Sequence, residues 1–229
     1  LCWEDDSAVY VPVGHCVEGA LAQGQLTESE AMEVLGPLLA DASVEKVGHN
    51  MKYDLSVLRC LGYPLAGIAG DTMIADYLLE PERRSHKLDD LAMRYLGHKM
   101  VSYAEATEGL GAGTTFADVE LEKATHYAAE DAHATWLLDG MLLPKLTDAG
   151  LDKVYLELEV PLIQVISGME LAGIGLNVEQ LGVLSLELAE RMESLEKEIY
   201  ELAGREFTIN SPKQLQEVLF VELGLKGIK

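Results

Sequence analysis

Apolar residues along the chain follow two periods. From Ser7 to Val13 they alternate among β-favouring residues up to a Gly14 turn, which predicts a strand. Over 27–41 the period changes to 3.6: Met32, Leu35, Leu38 and Leu39 line one face, and Thr27 stands three residues before Glu30, the spacing of a capping box. A short strand at 46–49 runs into a helix over 51–61, closed by Gly62 and Pro64. A second strand and helix follow at 67–70 and 71–79, with Pro81 ending the helix. Next come a short helix at 88–95, a Gly- and Thr-rich loop at 108–115, and a long apolar-periodic helix over 121–146. The composition shifts at 147–150. Beyond it only helices are expected, at 153–171, 178–203 and from Ser211 to Leu223, where Ser211, Pro212 and Gln214 form an N-cap, an N1 proline and a capping-box glutamine. In the 178–203 helix, Leu188, Met192, Leu195, Ile199 and Leu202 step by four and three, a seam for packing on another helix. Strands alternating with helices, then helices alone, predict an α/β domain over 1–148 joined to an α-helical segment over 149–229.

Composition narrows this picture. The 229 residues are 48% hydrophobic, enough for a sizeable core. No apolar run approaches a membrane span of about 18 residues, and no signal peptide opens the sequence, so a cytoplasmic protein is expected. Cys2, Cys16 and Cys60 are odd in number and have no CxxC spacing, which suits a reducing compartment rather than a disulfide framework or zinc site. The formal charge of −22, from 39 acidic against 17 basic residues, argues against broad attraction to phosphate backbones. Any nucleic-acid contact must then be local. The chain opens at Leu1 with a strand-like segment, so it is expected to begin inside a domain.

Candidate chemistry concentrates in HNMKYD (49–54) and HYAAEDAHAT (126–135). In each, an aspartate follows a polar partner by one helical turn, Asn50 with Asp54 and Tyr127 with Asp131, so each pair shares a helix face. Two helices that each aim a carboxylate at one place suit a hard divalent cation and metal-assisted hydrolysis. Asp54 alone is equally an aspartate answering a helix dipole, and Tyr127 alone reads as core. Asp131, amid alanines and apolar residues, is harder to explain without a partner. Asn50, Lys52 and Tyr53 add an amide, an ammonium and a ring, able to hold a phosphate-bearing chain. Phe116 is either a small core anchor or a platform for an unpaired base. Arg83, Arg84, His86 and Lys87 are the concentrated basic cluster, a solvated turn or a set of phosphate contacts. The E-x-x-H pair Glu130 and His133 occurs once, where carboxylate-bridged di-iron proteins use it twice. The GLGAG run at 109–113 lacks a preceding strand and a third glycine, and reads as a loop.

In order, NMKYD, DTMIADYLL, SHKLDDLAMRYLGHK, TTFADV and YAAEDAHAT resemble the 3′-to-5′ proofreading exonuclease domain of bacterial family-A DNA polymerases. VPLIQVISGMELAGIGLN and INSPKQLQEVLF resemble the start of the polymerase thumb in those proteins. The resemblance implies a ribonuclease H-like domain, a mixed sheet with flanking helices, followed by thumb helices. It implies two divalent cations, Mg2+ or Mn2+ with Zn2+ an alternative at one site, held by Asp54 and Asp131 among others. Tyr127 positions water, and Asn50, Lys52, Tyr53, Arg84 and Phe116 hold the strand. The implied partners are DNA with a single-stranded or frayed 3′ end and the remainder of a polymerase chain; a monomer is expected. The family's first motif, Asp-x-Glu on a strand, is expected upstream of Leu1, since the spacing of Glu4, Asp5 and Asp6 does not match it. The 229 residues alone are therefore expected to be weakly active or inactive. Two alternatives stay open: a catalytically silent domain that braces a polymerase, and a stand-alone nuclease resembling ribonuclease D.

Overall fold

The structure, a computed structural model, describes residues 1–5, 7–17, 19–111 and 113–227. Asp6 of the acidic opening and Ala112 of the glycine-rich run lie outside the described residues, as do Glu18, Ile228 and Lys229. The chain divides into two compact units, Leu1–Gly173 and Ile174–Lys229. Among the described residues no helix is long and apolar enough to cross a membrane.

The first unit opens with two antiparallel ladders, β1 (Cys2–Glu4) with β2 (Ser7–Ala8) and β3 (Cys16–Val17) with β4 (Ala20–Leu21). The strand expected over 7–13 thus stops at Ala8. Beyond it Val9 N–H still bonds the Leu1 carbonyl at 2.8 Å, but Pro12 has no N–H to extend a ladder, and Tyr10 Oη instead meets His15 Nε2 at 2.5 Å. Helix α1 (Glu28–Ala40) starts with the expected box: Glu30 N–H donates to Thr27 Oγ1 at 3.2 Å, and Thr27 N–H donates to Glu30 Oε2 at 2.8 Å.

The strand and helix expectations hold best in the next stretch. β5 (Lys46–Gly48) pairs in parallel with β6 (Ile68–Asp71), and α2 (Met51–Leu61) and α3 (Thr72–Leu79) follow these strands directly. In place of one mixed sheet, the described residues form three separate two-stranded ladders, two antiparallel and one parallel. Helix α4 (Leu88–Leu91) continues through a wider π-helical turn, Ala92–Leu96. After α5 (Tyr103–Ala106) and a 3-10 turn at Phe116–Asp118, α6 (Leu121–Asp148) runs 28 residues. It packs on α3 and β5. Helix α7 (Asp152–Val154), the π-helical turn Tyr155–Glu159 and α8 (Val160–Ala172) complete this unit, with α8 lying along α2.

Two apolar clusters hold these layers. Leu91, Leu138, Leu142, Leu146 and Tyr155 form one, between α6 and its neighbours; Met51, Leu55, Leu65 and Ile163 form the other, between α2 and α8. Each fully buried leucine contributes about 2 kcal/mol, so the two clusters clamp α2 and α6, the helices bearing Asp54 and Asp131.

The second unit contains α9 (Val178–Ala203) and α10 (Pro212–Gln216), the latter prolonged by a π-helical turn at Glu217–Glu222. Asn177 caps α9 by accepting from Gln180 N–H, and Gly204 ends it in the left-handed region. The apolar seam from Leu188 to Leu202 is largely exposed. At α10 only half of the expected box forms. Ser211 Oγ accepts from Gln214 N–H, but the Gln214 side chain turns to Thr208 N–H at 2.8 Å instead of the Ser211 amide.

Candidate active site

The segment HNMKYD turns from β5 into α2 through Asn50, whose φ of 61° makes it the one non-glycine residue with positive φ among the described residues. Asparagine tolerates this region because its short polar side chain offsets part of the steric cost. A residue so placed usually caps the helix itself, but the Asn50 side chain makes no capping bond. The buried carboxylate of Asp71 takes over. Its Oδ1 accepts from Asn50 N–H at 3.1 Å, Met73 N–H at 2.9 Å and Ile74 N–H at 3.3 Å, and its Oδ2 accepts from Met51 N–H at 2.7 Å. One side chain therefore satisfies amides at the starts of both α2 and α3. Sequence reading took Asp71 only as the first residue of a helix, and the signal for more was its place in DTMIAD just after a strand.

Asp54 lies one turn into α2. Its carboxyl reaches solvent, yet dense surroundings push it above the usual carboxylate range by desolvation, with a further push from Asp71. Tyr53 beside it is exposed. Lys52 is already engaged: its ammonium donates to both oxygens of Glu170 on α8, each at 2.7 Å.

On α6, half-buried Tyr127 and Asp131 face each other one turn apart. Burial pushes Asp131 up to about 6, the Tyr127 hydroxyl pulls it down, and Asp89 and Glu130 add further upward pressure. Burial first, then the Asp131 charge, pushes Tyr127 up to about 12. Asp89 of α4, not singled out in the sequence, is thus a third carboxylate beside this pair. Phe116 packs its ring 5.5 Å from that of Tyr127 and stacks on Tyr103 at 6.1 Å, while buried His15 lies edge-on to it at 6.0 Å. Of its two expected roles, the anchor is filled by this aromatic cluster, and its partial exposure keeps one part of the ring open.

A cleft of 660 Å³ lies beside the start of α2, lined by Asn50, Met73, Ile74, Arg84, His86 and Lys87 among others. The basic segment 83–87 is held there by fully buried Asp76, which meets His86 Nδ1 at 2.6 Å, Tyr95 Oη at 2.7 Å and Arg94 Nη1 at 3.4 Å. Asn50 and Arg84, distant in sequence, so line one cleft. A second cleft, of 470 Å³, is lined by Asp5, His98, His126, Glu130 and His133. There Glu130 binds His98 Nε2 at 2.7 Å and Val101 N–H at 2.8 Å, while His133 Nε2 lies 2.5 Å from the Asp5 carbonyl, so the E-x-x-H pair is divided between separate partners.

Asp71 bears on Asp54, and Asp89 and Glu130 bear on Asp131, each favouring the protonated form of its neighbour. Carboxylate oxygens are hard donors of the type a divalent cation takes. Among the described residues, however, no three metal-ligating side chains come together. The chain offers carboxylates of the right kind, not a closed ligand set.

Residues 3–147 match a family model described as 3′-5′ exonuclease, and residues 178–229 one described as DNA polymerase family A. DNA polymerase I of Rhizobium leguminosarum is 42% identical over 226 residues, covering 96% of this chain and 22% of that protein. DNA polymerase I of Pseudomonas aeruginosa is 39% identical over 97% of this chain and 24% of its own length. The chain thus spans under a quarter of these relatives. A solved structure, the POL domain of Pol1 from M. smegmatis in complex with DNA primer-template and dNTP, superposes with a TM-score of 0.71 at 29% identity, covering 90% of this chain and 32% of that one. With the exonuclease match covering well over half of its residues, the chain belongs to the 3′-5′ exonuclease family of family-A DNA polymerases.

Proposed function

We propose that this chain is the 3′-5′ proofreading exonuclease region of a DNA-directed DNA polymerase, hydrolysing the 3′-terminal phosphodiester of DNA to release a nucleoside monophosphate. In this reading residues 1–148 form a ribonuclease H-like exonuclease domain and residues 149–229 begin the polymerase thumb. The observation that carries it is the pairing of Tyr127 with Asp131 one turn apart on α6, in a chain of this family.

Asp54 and Asp131 are this chain's ligands for two divalent cations, Mg2+ or Mn2+, with Zn2+ an alternative at one site. Bound there, the cations supply Lewis acidity at the phosphate and lower the pKa of water. Asp131 is ionised above about pH 6 and accepts hydrogen bonds at neutral pH. Tyr127 keeps its proton throughout the physiological range and does not act as a base; with its one O–H given to Asp131, its oxygen orients the attacking water as an acceptor. Phe116 and exposed Tyr53 offer faces for unpaired bases. Asn50 and Arg84 contact the strand from the cleft they both line, and Lys52 contacts phosphate on leaving Glu170. A frayed or mispaired 3′ end reaches the site at lower cost than a paired one. The DNA, and the remainder of the polymerase, are then the partners of a monomeric chain.

The test is Asp131→Ala in the intact polymerase: removal of a mismatched 3′ nucleotide is lost while primer extension is kept. The second reading, a silent domain bracing the polymerase, draws on the absence of a three-ligand group among the described residues. Excision equal in wild type and Asp131→Ala would decide against the catalytic reading.

A further inference from the structure

Tyr155 stands in neither matched segment, since the exonuclease match ends at residue 147 and the polymerase match begins at 178. Its ring is nevertheless among the most buried in the first unit. Its hydroxyl is spent on one residue: it accepts from Asp71 N–H at 2.6 Å and donates to the Asp71 carbonyl at 3.2 Å. The backbone of Asp71 is thereby gripped on both sides at the point where β6 becomes α3.

The neighbouring residue is shaped for this grip. A Cβ on Gly70 would stand 2.9 Å from Tyr155 Oη and 3.1 Å from Asp139 Oδ1, closer than side-chain carbons pack. Glycine leaves the hydroxyl its place. From Asp71 the constraint passes through the carboxylate to the Asn50 and Met51 amides, and so to the left-handed turn that launches α2 with Lys52, Tyr53 and Asp54.

We propose that Tyr155 is a positioning residue for the exonuclease site, acting through Asp71 to fix the first turn of α2. This rests on the function proposed above. The segment 152–172, outside both matched regions, then braces the exonuclease site from the start of the thumb segment. Removing the hydroxyl leaves a buried Asp71 N–H without its partner and frees the carboxylate to shift. A displacement well under 1 Å at a reacting centre is enough for about a tenfold loss of rate.

The test compares Tyr155→Phe and Gly70→Ala with wild type in the intact protein, reading excision of a mismatched 3′ nucleotide together with amide hydrogen exchange. The expected result is about a tenfold lower kcat with KM changed by less than about twofold, because Arg84 and Phe116 still hold the strand. Exchange at the Asn50, Met51 and Asp71 amides accelerates, while amides of α6 around Leu138 and Leu142 keep their protection. Wild-type exchange at Asn50 and Met51 in both variants overturns the proposal, as does acceleration spread equally over α6. Gly70→Ala keeps the phenol and crowds its hydroxyl, along with the Asp139 carboxylate, so it carries the test if Tyr155→Phe does not fold. Absence of excision in wild type would refute the proposed function instead, and the exchange data would still decide the role of Tyr155.

Discussion

Lys52 on α2 grips both carboxylate oxygens of Glu170 on α8, at 2.7 Å each. The lysine and glutamate side chains are 34% and 53% exposed, so the pair contributes little to stability, about 0.5 kcal/mol. Its larger effect is on availability, since an ammonium held by a carboxylate must be released before it meets a phosphate. Glu170→Gln is expected to tighten binding of single-stranded DNA about threefold at low salt, read by fluorescence anisotropy in EDTA, with melting temperature nearly unchanged. Equal affinity of variant and wild type would show that Lys52 does not contact the strand.

Asp131 carries a stability cost. Its folded value near 6 lies above the ordinary 3.8, so between those pH values the folded protein binds more protons than the unfolded chain, and stability falls as pH rises through that window. Above it the deficit stays constant, on the order of 2 kcal/mol after allowance for partial solvation. Asp131→Asn is expected to raise the urea midpoint at pH 8 in EDTA and to leave it unchanged at pH 4. Magnesium narrows the difference by stabilising wild type more than the variant. Identical midpoints at pH 8 in EDTA would contradict this.

Tyr127 holds Asp131 down through its hydroxyl. In Tyr127→Phe the carboxyl rises further, so the acid limb of the excision profile moves to higher pH, and activity at pH 6.5 falls more than activity at pH 8.5. A loss confined to the alkaline side would instead mark the phenol as a base.

Asp76 joins α3 to the basic segment, meeting His86, Tyr95 and Arg94 from a fully buried position. Asp76→Ala leaves these groups without their acceptor and should lower stability by about 3 kcal/mol, measured by urea denaturation. It should also weaken strand binding, because Arg84 and Lys87 lose their tether. Full stability in the alanine variant would show that the network is incidental.

Periodicity made α1, α2, α6 and α9 legible, with Thr27 and Glu30 marking the start of α1 and Gly62 the end of α2, because these residues act through neighbours a few positions away. Tyr127 with Asp131 was legible for the same reason, as a one-turn relation within α6, whereas Asn50 stands in the left-handed turn before α2 and not on the helix face of Asp54. What escaped was long-range. Asp71 reaches 20 residues back to Met51, Tyr155 84 residues back to Asp71, and Glu170 118 residues back to Lys52. No local period encodes such partners. The strand over 7–13 failed differently, since alternation persisted past Pro12 while the strand ended at Ala8, with Val9 adding only its bond to the Leu1 carbonyl.

The double cap at Asp71 also sets a dimension. Asn50, at the mouth of α2, and Met73 and Ile74, in the first turn of α3, all line the 660 Å³ cleft, and their amides end on the same carboxylate. The spacing of the two helix starts is therefore set by hydrogen bonds to a single aspartate. Side-chain rearrangements elsewhere can reshape the cleft, but that corner cannot widen without breaking the hydrogen bonds to one helix or the other.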